Sequence, residues 1–169
     1  MKKIDVYTLT IDDIRELKWD DISGLTYTER EVLGRTIYDA ICKKKHSFTG
    51  GQFDSWDASS TGNTYTFNIE IKFRFIDMRK KARYDREGYW LEKKKYDPMI
   101  DAYNETGSIP YLITFLPGGY GYIWNLLDLD PVWEQQEATS TTADGSYGKT
   151  KKLKTVYHPL PCEGKAIRW

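Results

Sequence analysis

The sequence predicts a mixed α/β (α+β) domain with a small central mixed β-sheet flanked by helices, on three observations. Residues 64–75, TYTFNIEIKFRF, alternate apolar and polar without a break, the period of a strand. Residues 25–45 repeat Leu33, Ile37, Ala40 and Ile41 at helical spacing. The most apolar stretch, residues 110–127, is broken by Pro117, Gly118, Gly119 and Gly121, which suits two strands around a turn and not a membrane-spanning helix. A chain of 169 residues is expected to be one domain, 1–169, with one core.

Taken in order, residues 1–24 scatter Asp12, Asp13, Glu16, Asp20 and Asp21 among isolated apolar residues and read as an arm or a short helix. The helix over 25–45 follows, with Lys43, Lys44 and Lys45 placed in its last turn, where cations complement the helix dipole. Residues 52–57 read as a short strand entering the polar turn of Ser59, Ser60, Thr61, Gly62 and Asn63. In the long strand after it, Tyr65, Phe67, Ile69, Ile71, Phe73 and Phe75 share a core face, while Thr66, Asn68, Glu70, Lys72 and Arg74 share a polar one. Residues 76–86 are dense in Lys and Arg, and 89–104 carry helical spacing in one or two pieces, with Asp97 and Pro98 resembling an N-cap and first-turn proline. Residues 110–116 and 120–127 then form a hairpin. The Thr, Ser, Asp and Gly run of 138–148 reads as an exposed loop, and 138–169 as a basic C-terminal tail.

Composition narrows the function classes. Twenty-five basic and 25 acidic residues cancel, so an anionic partner must be met by a local patch. Aromatic residues at 15% exclude a disordered chain. Cys42 and Cys162 form no CxxC pair and no apolar leader follows Met1, so a reducing, cytoplasmic setting without membrane is expected. His46 and His158 have no partner at zinc-ligand spacing, and no nucleophilic triad or phosphate loop is visible.

The polar strand face carries the one constellation with chemistry. Glu70 and Lys72, two apart, point the same way. A turn centred near Thr61 and Gly62 sets Asp54 across from Glu70, with facing Cβ atoms about 5 Å apart. Asp57 is the alternative acid and needs a tighter turn centred past Gly62. Two carboxylates so close call for a cation between them, and with the Ile71 backbone carbonyl they make a hard-oxygen shell suited to Mg²⁺ (or Mn²⁺). Beside such an ion Lys72 would orient water or neutralise charge on a phosphate, which is the chemistry of phosphodiester hydrolysis.

Asp54 followed by Glu70-Ile71-Lys72 resembles the PD-(D/E)XK nuclease superfamily, in which an Asp opens one strand and a Glu-x-Lys triplet lies on the next. Phe53, not proline, precedes Asp54. The resemblance spans about residues 25–127 and looks most like the small phage or mobile-element, Holliday-junction-resolvase-like branch. It implies a restriction-endonuclease-like core and a Mg²⁺-dependent endonuclease or exonuclease acting on DNA. It also implies a helix Glu at the site: on the buried stripe of Leu33, Ile37 and Ala40, Glu29 lies closer than Glu31, although Thr26 with Glu29, and Thr28 with Glu31 one step on, also spell a capping box. Lys94, Lys95 and Tyr96 resemble the basic helix position after the Glu-x-Lys strand.

A bare acid-x-Lys triplet is cheap, recurring at Glu16-Leu17-Lys18, Glu92-Lys93-Lys94 and Glu163-Gly164-Lys165, and only Glu70 sits on a clear strand. The basic runs, with Tyr84, Tyr89, Trp90 and Tyr96 among them, offer Lys94, Lys95, Tyr96, Lys151 and Lys152 to a DNA backbone. Three other readings stand beside the nuclease: an inactive protein of the same fold that binds nucleic acid or protein, a β-rich domain with an aromatic ligand pocket, and, on either of the first two, a homodimer.

Overall fold

The computed structural model describes residues 4–50, 54–74, 81–82, 85, 89–141 and 147–169. A 3₁₀ turn (Val6–Thr8) and two short helices, α1 (Ile11–Glu16) and α2 (Trp19–Ile22), lead into α3 (Tyr27–Ile41). Thr26 starts α3 through a reciprocal cap: its hydroxyl accepts the Glu29 N–H at 3.2 Å, and its own N–H donates to Glu29 Oε2 at 2.7 Å. The helix ends at Ile41, earlier than predicted, because Cys42 turns extended. The lysines therefore lie beyond the last turn, and Lys45 opens an unforeseen strand, β1 (Lys45–Phe48).

The hairpin that follows is β2 (Ala58–Thr61) and β3 (Thr66–Phe73). Thr61 pairs with Thr66 and Ala58 with Ile69, so the turn lies at residues 62–65, closed by the Gly62 N–H on the Tyr65 carbonyl at 2.8 Å. The predicted strand over 52–57 is thus displaced to Ala58–Thr61; residues 52, 53 and 75 and most of the basic 76–86 segment lie outside the described residues. Next come β4 (Leu91–Glu92) and α4 (Lys93–Thr106). Pro98 sits inside α4, not at its start, because the helix begins where β4 ends; the missing Pro N–H leaves one helical hydrogen bond unmade.

The hairpin of β5 (Ile109–Leu116) and β6 (Tyr120–Asn125) matches the prediction, turning through Gly118 and Gly119 at φ 78° and 80°. Of the segment read as a polar loop, residues 138–141 and 147–148 belong instead to the arms of a hairpin, β7 (Glu134–Thr141) and β8 (Tyr147–Tyr157), while 142–146 lie outside the described residues. Thr-rich sequence serves as strand when a partner is at hand, and composition alone does not reveal the partner. β9 (Lys165–Arg168) then returns to the main sheet.

The main sheet has the order β1-β2-β3-β5-β6-β9, with β3 and β5 parallel and the other neighbours antiparallel. A smaller sheet has the order β4-β8-β7. The fold is thus a mixed α+β architecture with a central mixed sheet, as predicted. One side of the main sheet presents Ile69, Ile71 and Phe73 to Leu33 and Ile37 of α3, a cluster that also holds Ile14, Ile22 and Trp169. Each such side chain contributes about 1.5–3 kcal/mol when fully buried. This packing removes the β-rich pocket reading, whose aromatic strand face would have lined a cavity. Gly34 makes the fit possible, since a Cβ there would stand 3.1 Å from Ile71 Cγ2.

The opposite side was expected to be polar and solvated, and is not. A second cluster, Tyr89, Leu91, Met99, Leu112, Leu116 and Trp124, covers it, so Asn68, Glu70 and Thr114 are buried. The sheet is a middle layer, and its polar residues are inside.

Candidate active site

The hairpin register decides which acid meets Glu70. Ala58 opposite Ile69 sets Asp57, not Asp54, directly across from Glu70, three residues from the predicted pairing because the turn is centred past Gly62. The Asp57 backbone is held twice, its N–H donating to the Ile69 carbonyl and its carbonyl accepting the Thr49 N–H, both at 2.9 Å. Its side chain then takes the place of the next ladder acceptor: Oδ2 accepts the Ile71 N–H at 2.7 Å. Because N–H and C=O of one strand residue point the same way, the Ile71 carbonyl also faces this side.

Glu70, 1% exposed, is held by charge. Lys72 Nζ lies in close ion-pair contact with Oε1, and Lys95 Nζ from α4 stands 3.5 Å from Oε2. Neither Glu70 oxygen receives a hydrogen bond of good geometry among the described residues. Lys95 also donates to the Asp54 carbonyl at 2.6 Å, so Asp54 joins the site through its backbone. Asp57 Oδ1 has a long contact, 3.9 Å, with Arg35 of α3, whose Nη2 pairs with Glu31 at 2.8 Å.

Lys72 and Lys95 set two positive charges beside the two carboxylates. Reconciliation is incomplete: burial first, and the Glu70 charge second, push the Asp57 carboxyl up to about 6, against the opposing pull of Lys72, the Ile71 N–H and Lys95. For Lys72, burial works against the ammonium, but Glu70 outweighs it and raises the group above the ordinary lysine range.

A divalent ion fits part of this donor set. Glu70 has lone pairs that no well-aligned donor occupies, Asp57 Oδ1 is open to a ligand, and the Ile71 carbonyl is at hand, which is the hard-oxygen chemistry of Mg²⁺. Three acidic or imidazole ligands do not converge anywhere among the described residues, so water or substrate oxygens would have to complete the shell.

The other predicted residues fall in different places. Glu29 closes the cap with Thr26, whereas Glu31 lines a cleft of about 130 Å³ with Tyr27, Arg30, Ile71, Lys72, Phe73 and Arg74. Thr26-x-x-Glu29 and Thr28-x-x-Glu31 both spell a capping box, so that spelling alone did not separate the two acids. Lys94 pairs with Glu92 at 3.2 Å, and Tyr96 packs edge-on against Trp133. Lys95, proposed for a nucleic-acid backbone, points inward instead. Lys152 is exposed on β8, and the side chain of Lys151 lies outside the described residues. Arg74 was the residue that sequence reasoning missed; its place at the end of the Glu-x-Lys strand was the available clue.

Among the described residues, no helix is long and apolar enough to cross a membrane. No family model matches the sequence, and no curated protein matches it. The chain is similar in structure to Hjc, a Holliday junction resolvase from the archaeal hyperthermophile Archaeoglobus fulgidus solved at 1.6 Å. The identity is 13%, the match covers 78% of this chain and 93% of that one, and the TM-score is 0.47.

Proposed function

We propose that the chain is a divalent-metal-dependent nuclease that hydrolyses DNA phosphodiester bonds, with Asp57, Glu70 and the Ile71 carbonyl holding Mg²⁺ or Mn²⁺ and Lys72 facing the reacting phosphate. The single observation that carries this is Asp57 standing opposite Glu70 in register, with Lys72 beside both and a cleft bordering Lys72. When bound, the ion supplies Lewis acidity toward a phosphoryl oxygen. The chain's own residues do the rest. Lys72, raised and permanently charged, places a proton-bearing ammonium where negative charge develops on the phosphate. Lys95 orients Glu70 and anchors the segment at Asp54. The Ile71 N–H fixes the rotamer of Asp57.

The test is cleavage of supercoiled and branched DNA in millimolar Mg²⁺ or Mn²⁺. Asp57→Ala, Glu70→Ala and Lys72→Ala are each expected to lower the rate by at least about a hundredfold, with the fold retained by circular dichroism. Asp54→Ala is expected to keep most activity, since Asp57 and not Asp54 stands opposite Glu70. Normal cutting by the first three variants would end the reading.

One observation favours a second reading, an inactive protein of this fold that binds nucleic acid or protein: both Glu70 oxygens already face ammonium groups. Calorimetric titration with Mn²⁺ separates the two, because heat lost on Asp57→Ala supports the nuclease and no heat from wild type supports the binder.

A further inference from the structure

Among the described residues, the cleft between α3 and the end of β3 is lined by three basic side chains and one acidic one. Arg30, Lys72 and Arg74 line it, against one carboxylate, Glu31, which is already paired with Arg35. Lys72 is committed to Glu70. The Arg74 backbone N–H is held by the Phe115 carbonyl at 2.8 Å, which fixes where the side chain starts, and its Nε is buried with no acceptor among the described residues. Leaving a buried charged donor unmet is costly, and an arginine fork is satisfied best by a bidentate anion such as a phosphate. Tyr27, 58% exposed at the first turn of α3, gives the cleft an aromatic wall at its mouth.

Lys72 lies on both sides of this arrangement. It touches Glu70 in the candidate active site and lines the cleft with Arg74, whose positive charge it senses, as it does the Tyr27 phenol. An anion seated against Arg74 is therefore one residue's reach from the phosphate that Lys72 would face.

We propose that this cleft is a subsite for the DNA backbone phosphate next to the scissile one, gripped by Arg74, with Arg30 beside it and Tyr27 against the adjoining sugar or base. The inference rests on the nuclease reading for the word scissile, but the grip itself does not depend on cleavage. An arginine at this point would position the strand so that its neighbour phosphate meets Lys72.

The experiment is fluorescence polarisation of a fluorescein-labelled duplex DNA in EDTA, so that binding is read without turnover, for wild type, Arg74→Ala and Arg74→Lys over a series of salt concentrations. Arg74→Ala is expected to weaken binding about tenfold and to reduce the slope of log affinity against log salt by about one. Arg74→Lys is expected to keep the slope but not the full affinity, since it keeps the charge and loses the fork. Equal melting temperatures keep a folding defect from imitating the loss. Wild-type affinity and slope in Arg74→Ala would overturn the subsite and leave the nuclease reading standing. Conversely, a weakened Arg74→Ala in a protein that never cuts would uphold the grip while the nuclease reading failed.

Discussion

Replacing Asp57 by Asn should make the protein more stable at neutral pH, and by an amount that the site itself sets. The Asp57 carboxyl is pushed up from its ordinary 3.8 to about 6, with burial as the largest cause and the facing Glu70 next. Between those values the folded protein holds a proton that the unfolded chain has released, so stability falls as pH rises through that window. A displacement of about two pH units, at about 1.4 kcal/mol each, amounts to about 3 kcal/mol lost by pH 7. Asn keeps an oxygen for the Ile71 N–H and removes the titration. The variant should therefore match wild type near pH 3.5 and exceed it by about 3 kcal/mol at pH 7. Urea unfolding at about pH 3.5, 5 and 7 measures this, with unchanged m-values showing that only stability moved. Addition of Mg²⁺ at pH 7 should narrow the gap by stabilising wild type alone. A difference that stays flat across pH, or a variant weaker at pH 7, would refute the electrostatic account of the site.

Lys95→Met removes the ammonium 3.5 Å from Glu70 and the donor to the Asp54 carbonyl, and should cost about 1–3 kcal/mol in urea unfolding at pH 7. Because Lys95 holds the Asp57 carboxyl down, part of that loss should disappear near pH 4, where Asp57 is protonated in both variants. Gly34→Val forces two methyl groups beyond a Cβ position already 3.1 Å from Ile71, and should lower stability by about 1–3 kcal/mol in the same assay. Unchanged stability would mean that α3 can retreat from β3 at little expense.

What the sequence made legible was whatever depends on local period and local turn chemistry. The alternation over 64–75 located β3, the stripe of Leu33 and Ile37 located α3, and Pro117 with two glycines located the turn of β5 and β6. Glu70 and Lys72 were recognised as neighbours because two residues on one strand need no tertiary information. Asp54 was paired with Glu70 through an assumed turn, and register is sensitive to that choice: a turn centred one and a half residues later brings Asp57 there instead. Burial of the polar face was hidden because the layer covering it comes from residues beyond 88, including a β8 whose sequence had read as a basic tail. Lys95 was seen as a surface base because nothing local reveals that α4 packs where its Lys95 reaches Glu70 of β3.

β5 runs parallel to β3, so the chain must travel back along the sheet before the two strands can join, and α4 rides on that return. Asp57 and Glu70 need no such journey, being joined by a short turn that closes in microseconds. Their second counter-ion arrives with the long crossover. The helix that completes the middle layer is therefore also the one that brings the pair of acids its second counter-charge.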